Sequence, residues 1–190
     1  MKKRATIAIA AAAILFVLAG CGALPAESCL DYRSSPFVLE GRLDCDGREY
    51  TISVEFTADE TLKVKANSPE RIAGCVVTLP SGGGAALEFG GITVTVAEKE
   101  DMQNYGALAA LRELVLPPEE GLLSVELVKL GNHTYNLAVF ESPRGKVSVW
   151  FDKRGIPVRF GADGVTLSVT AFEKKEGTAA ETEAKQMPDI

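Results

Sequence analysis

The sequence predicts a mainly β domain: a curved antiparallel sheet, or half-barrel, of about ten strands with one or two short helices on its concave face. Two observations predict it. Apolar and polar residues alternate with period two through most of residues 36–173, which is typical of half-buried strands. Turn sequences such as Asp46-Gly47 and Gly131-Asn132 separate these segments at short intervals, which favours antiparallel hairpins. A sheet of this size twists and curls, so a short helix can cover its inner face.

One segment has the helical period instead. Between residues 101 and 116, apolar side chains recur at helical spacing, whereas Arg112 and Glu113 fall on the opposite side. The apolar set is Ala107, Leu108, Leu111, Leu114 and Val115. Asp101 or Asn104 can cap the start of this helix, and Pro117 stops it.

The N-terminus has the pattern of a secretory signal peptide. A basic start is followed by an uncharged apolar run over residues 5–20 that ends in small residues. The run is shorter than the roughly 20 residues that span a bilayer. Leu18-Ala19-Gly20-Cys21 resembles the lipobox of bacterial lipoproteins. This resemblance implies that residues 1–20 are removed and that Cys21 carries a diacylglycerol, which places the protein on the extracytoplasmic side of the cell membrane. An ordinary cleaved signal peptide and an uncleaved anchor are the alternatives.

The rest of the chain divides by composition. Residues 21–35 show no periodicity and predict a tether between lipid and domain. Residues 36–173 carry the strand pattern. Residues 174–190 are rich in Lys, Glu, Thr and Ala, have almost no large apolar residue, and predict a disordered tail.

Charge limits the possible partners. The 190-residue chain has a formal net charge of −6, and loss of residues 1–20 leaves 170 residues with 17 basic and 26 acidic side chains, or −9. A chain of this length can bury one sizeable core. Nucleic acid is not an expected partner, because phosphate binding requires clustered Lys and Arg. Attachment to a membrane would depend on the lipid at Cys21.

The cysteines leave two possibilities open. With Cys21 lipidated, Cys29, Cys45 and Cys75 remain, which permits one disulfide and one free thiol, or three thiols. Their separations of 16 and 30 residues, with His133 as the only histidine, disfavour a metal site. We therefore predict no metal and no cofactor.

No motif indicates catalysis. The chain lacks G-x-S-x-G, and His133 lies in a predicted turn without a nucleophile beside it. The acidic residues at 98–101 and 119–120 lack the spacing of a calcium loop. We therefore predict that the protein has no catalytic residues and is not an enzyme.

The inward apolar faces of the strands and helix are candidates for lining a ligand cavity. The alternative is an ordinary packed core, and alternation alone does not distinguish the two. The candidate lining residues are Leu39, Ile52, Val54, Val94, Leu108, Leu111, Leu137, Val149 and Leu167.

Three short motifs carry a family resemblance. Gly41-Arg42-Leu43 lies in the first strand, and Ser68-Pro69 with Ala73-Gly74 leads into the fourth. The third motif is the closing run Val149-Trp150-Phe151-Asp152-Lys153-Arg154-Gly155-Ile156-Pro157, which is followed by strand, turn and strand. With the strand pattern, they resemble the LolA/LolB-like superfamily of envelope lipoproteins, which includes GerS-like germination lipoproteins. The resemblance implies a half-barrel with a helical lid over an apolar cavity.

Two functions follow as expectations. The first is a lipid-anchored, non-enzymatic binding lipoprotein that engages a protein partner in the cell envelope. Trp150 and Phe172, placed opposite the aliphatic residues of their strands, would then mark a binding surface. The second is a carrier or sensor of an apolar ligand, such as a lipid or a lipoprotein acyl chain, in the half-barrel cavity. An envelope hydrolase is a third, weaker alternative.

Overall fold

The computed structural model describes residues 24–96 and 106–175. Over these ranges the chain forms one antiparallel sheet of eleven strands and one α-helix. The strands are β1 (Phe37–Cys45), β2 (Arg48–Phe56), β3 (Leu62–Ser68), β4 (Val76–Leu79), β5 (Ala85–Phe89), β6 (Ile92–Val96), β7 (Leu122–Leu130), β8 (His133–Ser142), β9 (Gly145–Phe151), β10 (Pro157–Ala162) and β11 (Val165–Lys174). The helix is α1 (Gly106–Val115). The predicted fold class is confirmed.

The sheet consists of two meanders joined at its centre. Its order is β6-β5-β4-β3-β2-β1-β11-β10-β9-β8-β7, so the pairing of β1 with β11 unites the first six strands with the last five. Helix α1 lies between β6 and β7 in sequence, and these two strands are the opposite edges of the sheet. The chain therefore passes from one edge to the other through the helix.

The core lies between α1 and one face of the sheet. Leu39, Val54 and Val64 form a continuous row across β1, β2 and β3, and each is at most 5% exposed. Leu114 and Val115 of α1 are fully covered as well. The helix stops at Val115, shortly before the prolines that predict its end.

Aromatic rings close one end of the core, which we call the aromatic end. Tyr32 packs against Phe37, Phe151 and Phe160 with ring-centroid distances of 5.9, 5.8 and 6.0 Å. All four rings are at most 1% exposed. Such tilted and edge-on contacts are favourable geometries for aromatic pairs. The opposite end carries the β1–β2, β8–β9 and β10–β11 turns, and we call it the cavity end.

Residues 24–35 differ from the predicted tether. They form two short 3-10 helices, Glu27–Cys29 and Asp31–Arg33, and bury Cys29 and Tyr32 completely or almost so. Single turns have no period for sequence reasoning to detect, yet Tyr32 supplies a ring that fills the aromatic end. The folded domain therefore begins no later than Leu24, and Cys21 lies three residues before it.

The described part of the domain ends with strand β11. Strand β11 continues to Lys174, and the backbone N–H of Lys175 donates to the carbonyl oxygen of Pro36 at 2.7 Å. The remainder of the predicted tail, residues 176–190, lies outside the described residues. So do the predicted signal peptide, Cys21, Asp101 and Asn104.

Candidate functional site

An apolar cavity of about 420 Å³ lies between α1 and the sheet at the cavity end. Its walls come from β1–β4, from β8–β11 and from the helix, and include Leu43, Tyr50, Ile52, Ala66, Cys75 and Leu111. Strands β4 and β9 are six positions apart in the sheet, about 29 Å if it were flat. One cavity can touch both only because the sheet curves around it. This volume lies within the range of small-molecule sites.

Two charged side chains fix the helix above the cavity. Arg112 donates to the carbonyl oxygens of Leu79 at 2.8 Å and Glu60 at 3.2 Å. Both acceptors belong to the half of the sheet formed by β1–β6; we call this half and the half formed by β7–β11 the two wings. Partial burial lowers the pKa of Arg112. Sequence reasoning placed Arg112 on the outer side of α1 and missed this role. Its side chain is long enough to extend from that side to the carbonyl groups of the sheet.

Glu113 provides the corresponding contact on the other wing. Its carboxylate accepts a hydrogen bond from the Ser142 hydroxyl at 2.9 Å and pairs with the Arg144 guanidinium. Ser142 is buried, and both partners belong to the β8–β9 hairpin at the cavity end. The helix is thus held to both wings, and the Glu113 contacts lie at the rim of an otherwise apolar cavity.

The N-terminal segment holds the C-terminal end of α1. The last carbonyl groups of a helix lack partners within it. The Tyr32 hydroxyl donates to the carbonyl oxygen of Val115 at 2.7 Å, and the Arg33 guanidinium donates to that of Pro117. Burial raises the pKa of the Tyr32 hydroxyl, so it remains a proton donor at neutral pH.

Seven of the nine predicted lining residues fall into three groups. Ile52 and Leu111 line the cavity. Leu39, Val54, Val149 and Leu167 are fully buried in the packed core and do not line it. Leu108 lies on the α1 backbone, but its side chain is outside the described part of the structure.

Leu137 does not face the cavity. In β8 the buried positions are Asn136, Ala138 and Phe140, whereas Leu137 lies on the convex face and pairs with Trp150. The sequence pattern predicted the wrong face for β8 because the two inward positions next to Leu137 are the polar Asn136 and the small Ala138. Asn136 is satisfied in the core because its side-chain oxygen accepts a hydrogen bond from the Leu24 N–H at 2.8 Å.

Val94 faces the predicted side but is exposed. It continues the core row through Val77 and Leu87, yet 54% of its surface is accessible. Leu87, Phe89 and Ile92 nearby are also exposed, at 38%, 44% and 70%. The described part of the helix contacts β4 and β10 rather than this edge of the sheet, and Val94 is not among the residues that line the cavity under α1.

Phe172 and Trp150 lie on different faces. A register shift between Glu40 and Gly41 moves Phe172 to the core side, where its ring packs on Phe37 at 5.4 Å. Trp150 is on the convex face as expected, with the Arg159 guanidinium 5.1 Å from its ring centroid. Gly41 makes the register shift possible, because a Cβ there would come within 2.7 Å of Leu167 and of the Ser168 carbonyl oxygen.

The three described cysteines are free thiols, so the disulfide alternative is wrong for Cys29, Cys45 and Cys75. Cys29 is buried beside the aromatic end, and burial, with the nearby Asp31 carboxylate, raises its pKa. Cys45 and Cys75 are partly exposed and both line the cavity. The cavity therefore carries two native thiols.

A second hollow, of about 500 Å³, lies at the aromatic end beside the N-terminal segment. Leu24 and Tyr32 contribute to its walls, as do Lys153, Arg154 and Lys174. The adjoining turn is organised by Asp152, whose carboxylate accepts hydrogen bonds from the N–H groups of Arg154 and Ile156 at 2.8 and 2.9 Å. Burial opposes ionisation of Asp152, but these bonds and the Arg154 guanidinium outweigh it and lower the pKa.

The cavity under α1 combines apolar walls with the polar side chains of Glu113, Ser142 and Arg144. Within residues 24–96 and 106–175, no three His, Cys, Asp or Glu side chains come together in a way that could hold a metal ion. His133 is exposed at the start of β8. The described helices include none long and apolar enough to cross a membrane. The cavity can accept an apolar chain, and the polar rim can contact its head.

No protein-family model matches this chain, and no curated protein matches it in sequence. Solved structures do resemble it. An uncharacterised conserved protein from Thermus thermophilus has 15% identity and a TM-score of 0.52 over 85% of this chain and 91% of that chain. A LolA superfamily protein from Nitrosomonas europaea has 10% identity and a TM-score of 0.39, covering 81% and 95%. MucB in the Pseudomonas aeruginosa MucA/MucB complex has 11% and 0.34, covering 82% and 58%. The Thermus protein shares the fold.

Proposed function

We propose that this chain is a lipid-anchored, non-enzymatic binding protein on the extracytoplasmic side of the cell membrane, and that it holds an apolar ligand in the cavity beneath α1. The signal-peptide pattern and the lipobox-like Leu18-Ala19-Gly20-Cys21 support the anchor. The apolar cavity is the observation that supports the ligand. A lipid or a lipoprotein acyl chain fits its chemistry, because apolar walls favour removal of an acyl chain from water.

The packing around the cavity favours a ligand over a simple defect. Protein interiors are close-packed, with few voids larger than a water molecule. Between the helix and the sheet, four buried rings fill the aromatic end of the core, whereas about 420 Å³ of space remains at the cavity end. The helix above this space is fixed by polar contacts to both wings, which opposes collapse of α1 onto the sheet.

Two measurements test the two parts. Replacing Cys21 with alanine should leave the chain unlipidated and release it from the membrane fraction; an unchanged, membrane-bound product would contradict the anchor. Native mass spectrometry of the mature chain with Cys21→Ser should detect a bound lipid, and the chain should take up a fluorescent fatty acid. The absence of both would contradict the ligand.

A second function, engagement of a protein partner in the envelope, is favoured by the exposed apolar residues at both edges of the sheet. Phe89, Ile92 and Val94 expose apolar surface on β5 and β6, and Leu123, Leu127 and Leu130 do so on β7. Exposed apolar edges are sites where another chain can add a strand or pack. Replacement of Ile92 and Val94 by lysine should abolish capture of an envelope partner if this function holds, and unchanged capture would contradict it.

A further inference from the structure

We infer that the domain is held with its aromatic end against the anchoring membrane and with the cavity end pointing away from it. The ligand would then exchange with the aqueous side or with a partner beyond the membrane, and not with the membrane that holds the anchor. This inference rests on the proposed lipid at Cys21.

The short distance between lipid and domain is the first step. Leu24 packs against the core, and its N–H donates to the side chain of Asn136 at 2.8 Å. Only Gly22 and Ala23 separate Leu24 from Cys21, and even a fully extended chain spans only about 11 Å between the two. A 15-residue tether would leave orientation free, but a connection this short keeps the end that carries Leu24 beside the bilayer.

The position of the cavity is the second step. Leu24 lies beside Gly155 in the β9–β10 turn, at the aromatic end. Strand β1 begins at that end with Phe37 and finishes with Cys45, which lines the cavity. Nine residues of strand place Cys45, at the outer lip of the cavity with Arg144 and Asp163, about 27 Å from the anchored end. This exceeds the reach of the connection, so the outer lip of the cavity cannot touch the same membrane surface while the anchored end faces it.

Charge agrees with this orientation. The mature chain carries a formal charge of −9, which opposes approach to phosphate headgroups. The charged residues lining the hollow at the aromatic end are instead Lys153, Arg154 and Lys174 against Asp31. An excess of cations next to the lipid attachment point is attracted to headgroup phosphates within a screening length of about 8–10 Å.

Fluorescence quenching by a headgroup spin-labelled lipid tests the orientation, because such quenching requires near contact. The lipidated protein, with Cys45→Ser and Cys75→Ser, is labelled at Lys153→Cys or at Asp163→Cys and reconstituted in phosphatidylcholine–phosphatidylglycerol vesicles. Cys29 is 0% exposed and should not compete for the label. Lys153 and Asp163 are both exposed turn residues, at the aromatic end and the cavity end respectively.

We expect the label at 153 to be quenched several-fold more strongly than the label at 163. Equal quenching, or stronger quenching at 163, would overturn the orientation while leaving the anchor intact. A flexible Gly/Ser insertion of about 12 residues between Ala23 and Leu24, which adds about 20 Å of reach, should remove the excess quenching at 153. Retention of that excess would overturn the role of the short connection. If the protein does not float with the vesicles at all, the proposed anchor falls, and the orientation falls with it.

Discussion

The Tyr32 hydroxyl donates a 2.7 Å hydrogen bond to the carbonyl oxygen of Val115, a residue 83 positions later in the chain. Both residues are buried. This bond joins the segment nearest the proposed lipid to the C-terminal end of the helix that covers the cavity. The N-terminal segment is therefore an integral part of the cavity's support.

Replacing Tyr32 with phenylalanine should lower the free energy of unfolding by about 1–2 kcal/mol, because the Val115 carbonyl would remain buried without its donor. Urea denaturation at pH 7 measures this. The raised pKa of Tyr32 also predicts how its contribution to the free energy of unfolding changes with pH. Its contribution is complete below the unfolded pKa of about 10 and declines as pH rises above it. The difference between parent and variant should therefore narrow above pH 10, and a constant difference would contradict the role of the neutral hydroxyl.

Gly41 should not tolerate a side chain. A Cβ at this position would come within 2.7 Å of Leu167 and of the Ser168 carbonyl oxygen, where β1 and β11 shift register. Gly41→Ala should therefore cost about 1–3 kcal/mol of stability through overpacking. Gly82→Ala is the matched control, since nothing lies within 4 Å of its added methyl. Equal stability of the two variants in thermal or urea unfolding would show that the sheet relaxes at Gly41.

Asp152 should make the β9–β10 turn sensitive to acid. Its pKa is lowered in the folded state, so its stabilising effect is present above the unfolded value of about 3.9 and is lost as pH falls through the folded value. Asp152→Asn should reduce stability at pH 7 by about 1 kcal/mol, since the remaining amide oxygen accepts weaker bonds. Unfolding measured from pH 7 to pH 2 should show the two proteins converging below pH 4. A stability difference between the two proteins that stays constant from pH 7 to pH 2 would contradict this role of the Asp152 carboxylate.

Ala66 offers a way to fill the cavity without changing its charge. It lines the cavity on β3 and pairs with Ile52. Ala66→Phe should weaken binding of a fluorescent fatty acid about tenfold or more, equivalent to at least about 1.4 kcal/mol. Ala171→Phe places the same ring on exposed β11, and should bind like the parent. Unchanged affinity in Ala66→Phe would show that the ligand lies elsewhere.

The sequence predicted the sheet well because alternation is a strong local signal, repeated in strand after strand. It predicted α1 from its apolar spacing and its end from the following prolines. The errors arose where local pattern and tertiary context disagree. In β8 the larger aliphatic residues, including Leu137, lie outside, and buried Asn136 depends on a partner 112 residues away.

The cavity was only partly predictable. Alternation identified inward residues such as Ile52 and Val54, but it could not show that the first lines a space and the second is packed. The roles of Arg112 and Glu113 depend on contacts with distant strands, which no spacing within the helix reveals. Tyr32 was the one signal available in residues 24–35, since a large aromatic residue is unusual in a solvated tether.

The two native thiols in the cavity give the most direct test of its occupation. Cys45 and Cys75 should react with iodoacetamide in the empty mature chain with Cys21→Ser, whereas buried Cys29 should not. A long-chain fatty acid at ten times its Kd leaves about one cavity in ten free, so alkylation of both thiols should slow roughly tenfold, as followed by mass spectrometry. Alkylation at the same rate with and without fatty acid, under conditions where the acid is bound, would contradict the assignment of the cavity as the binding site.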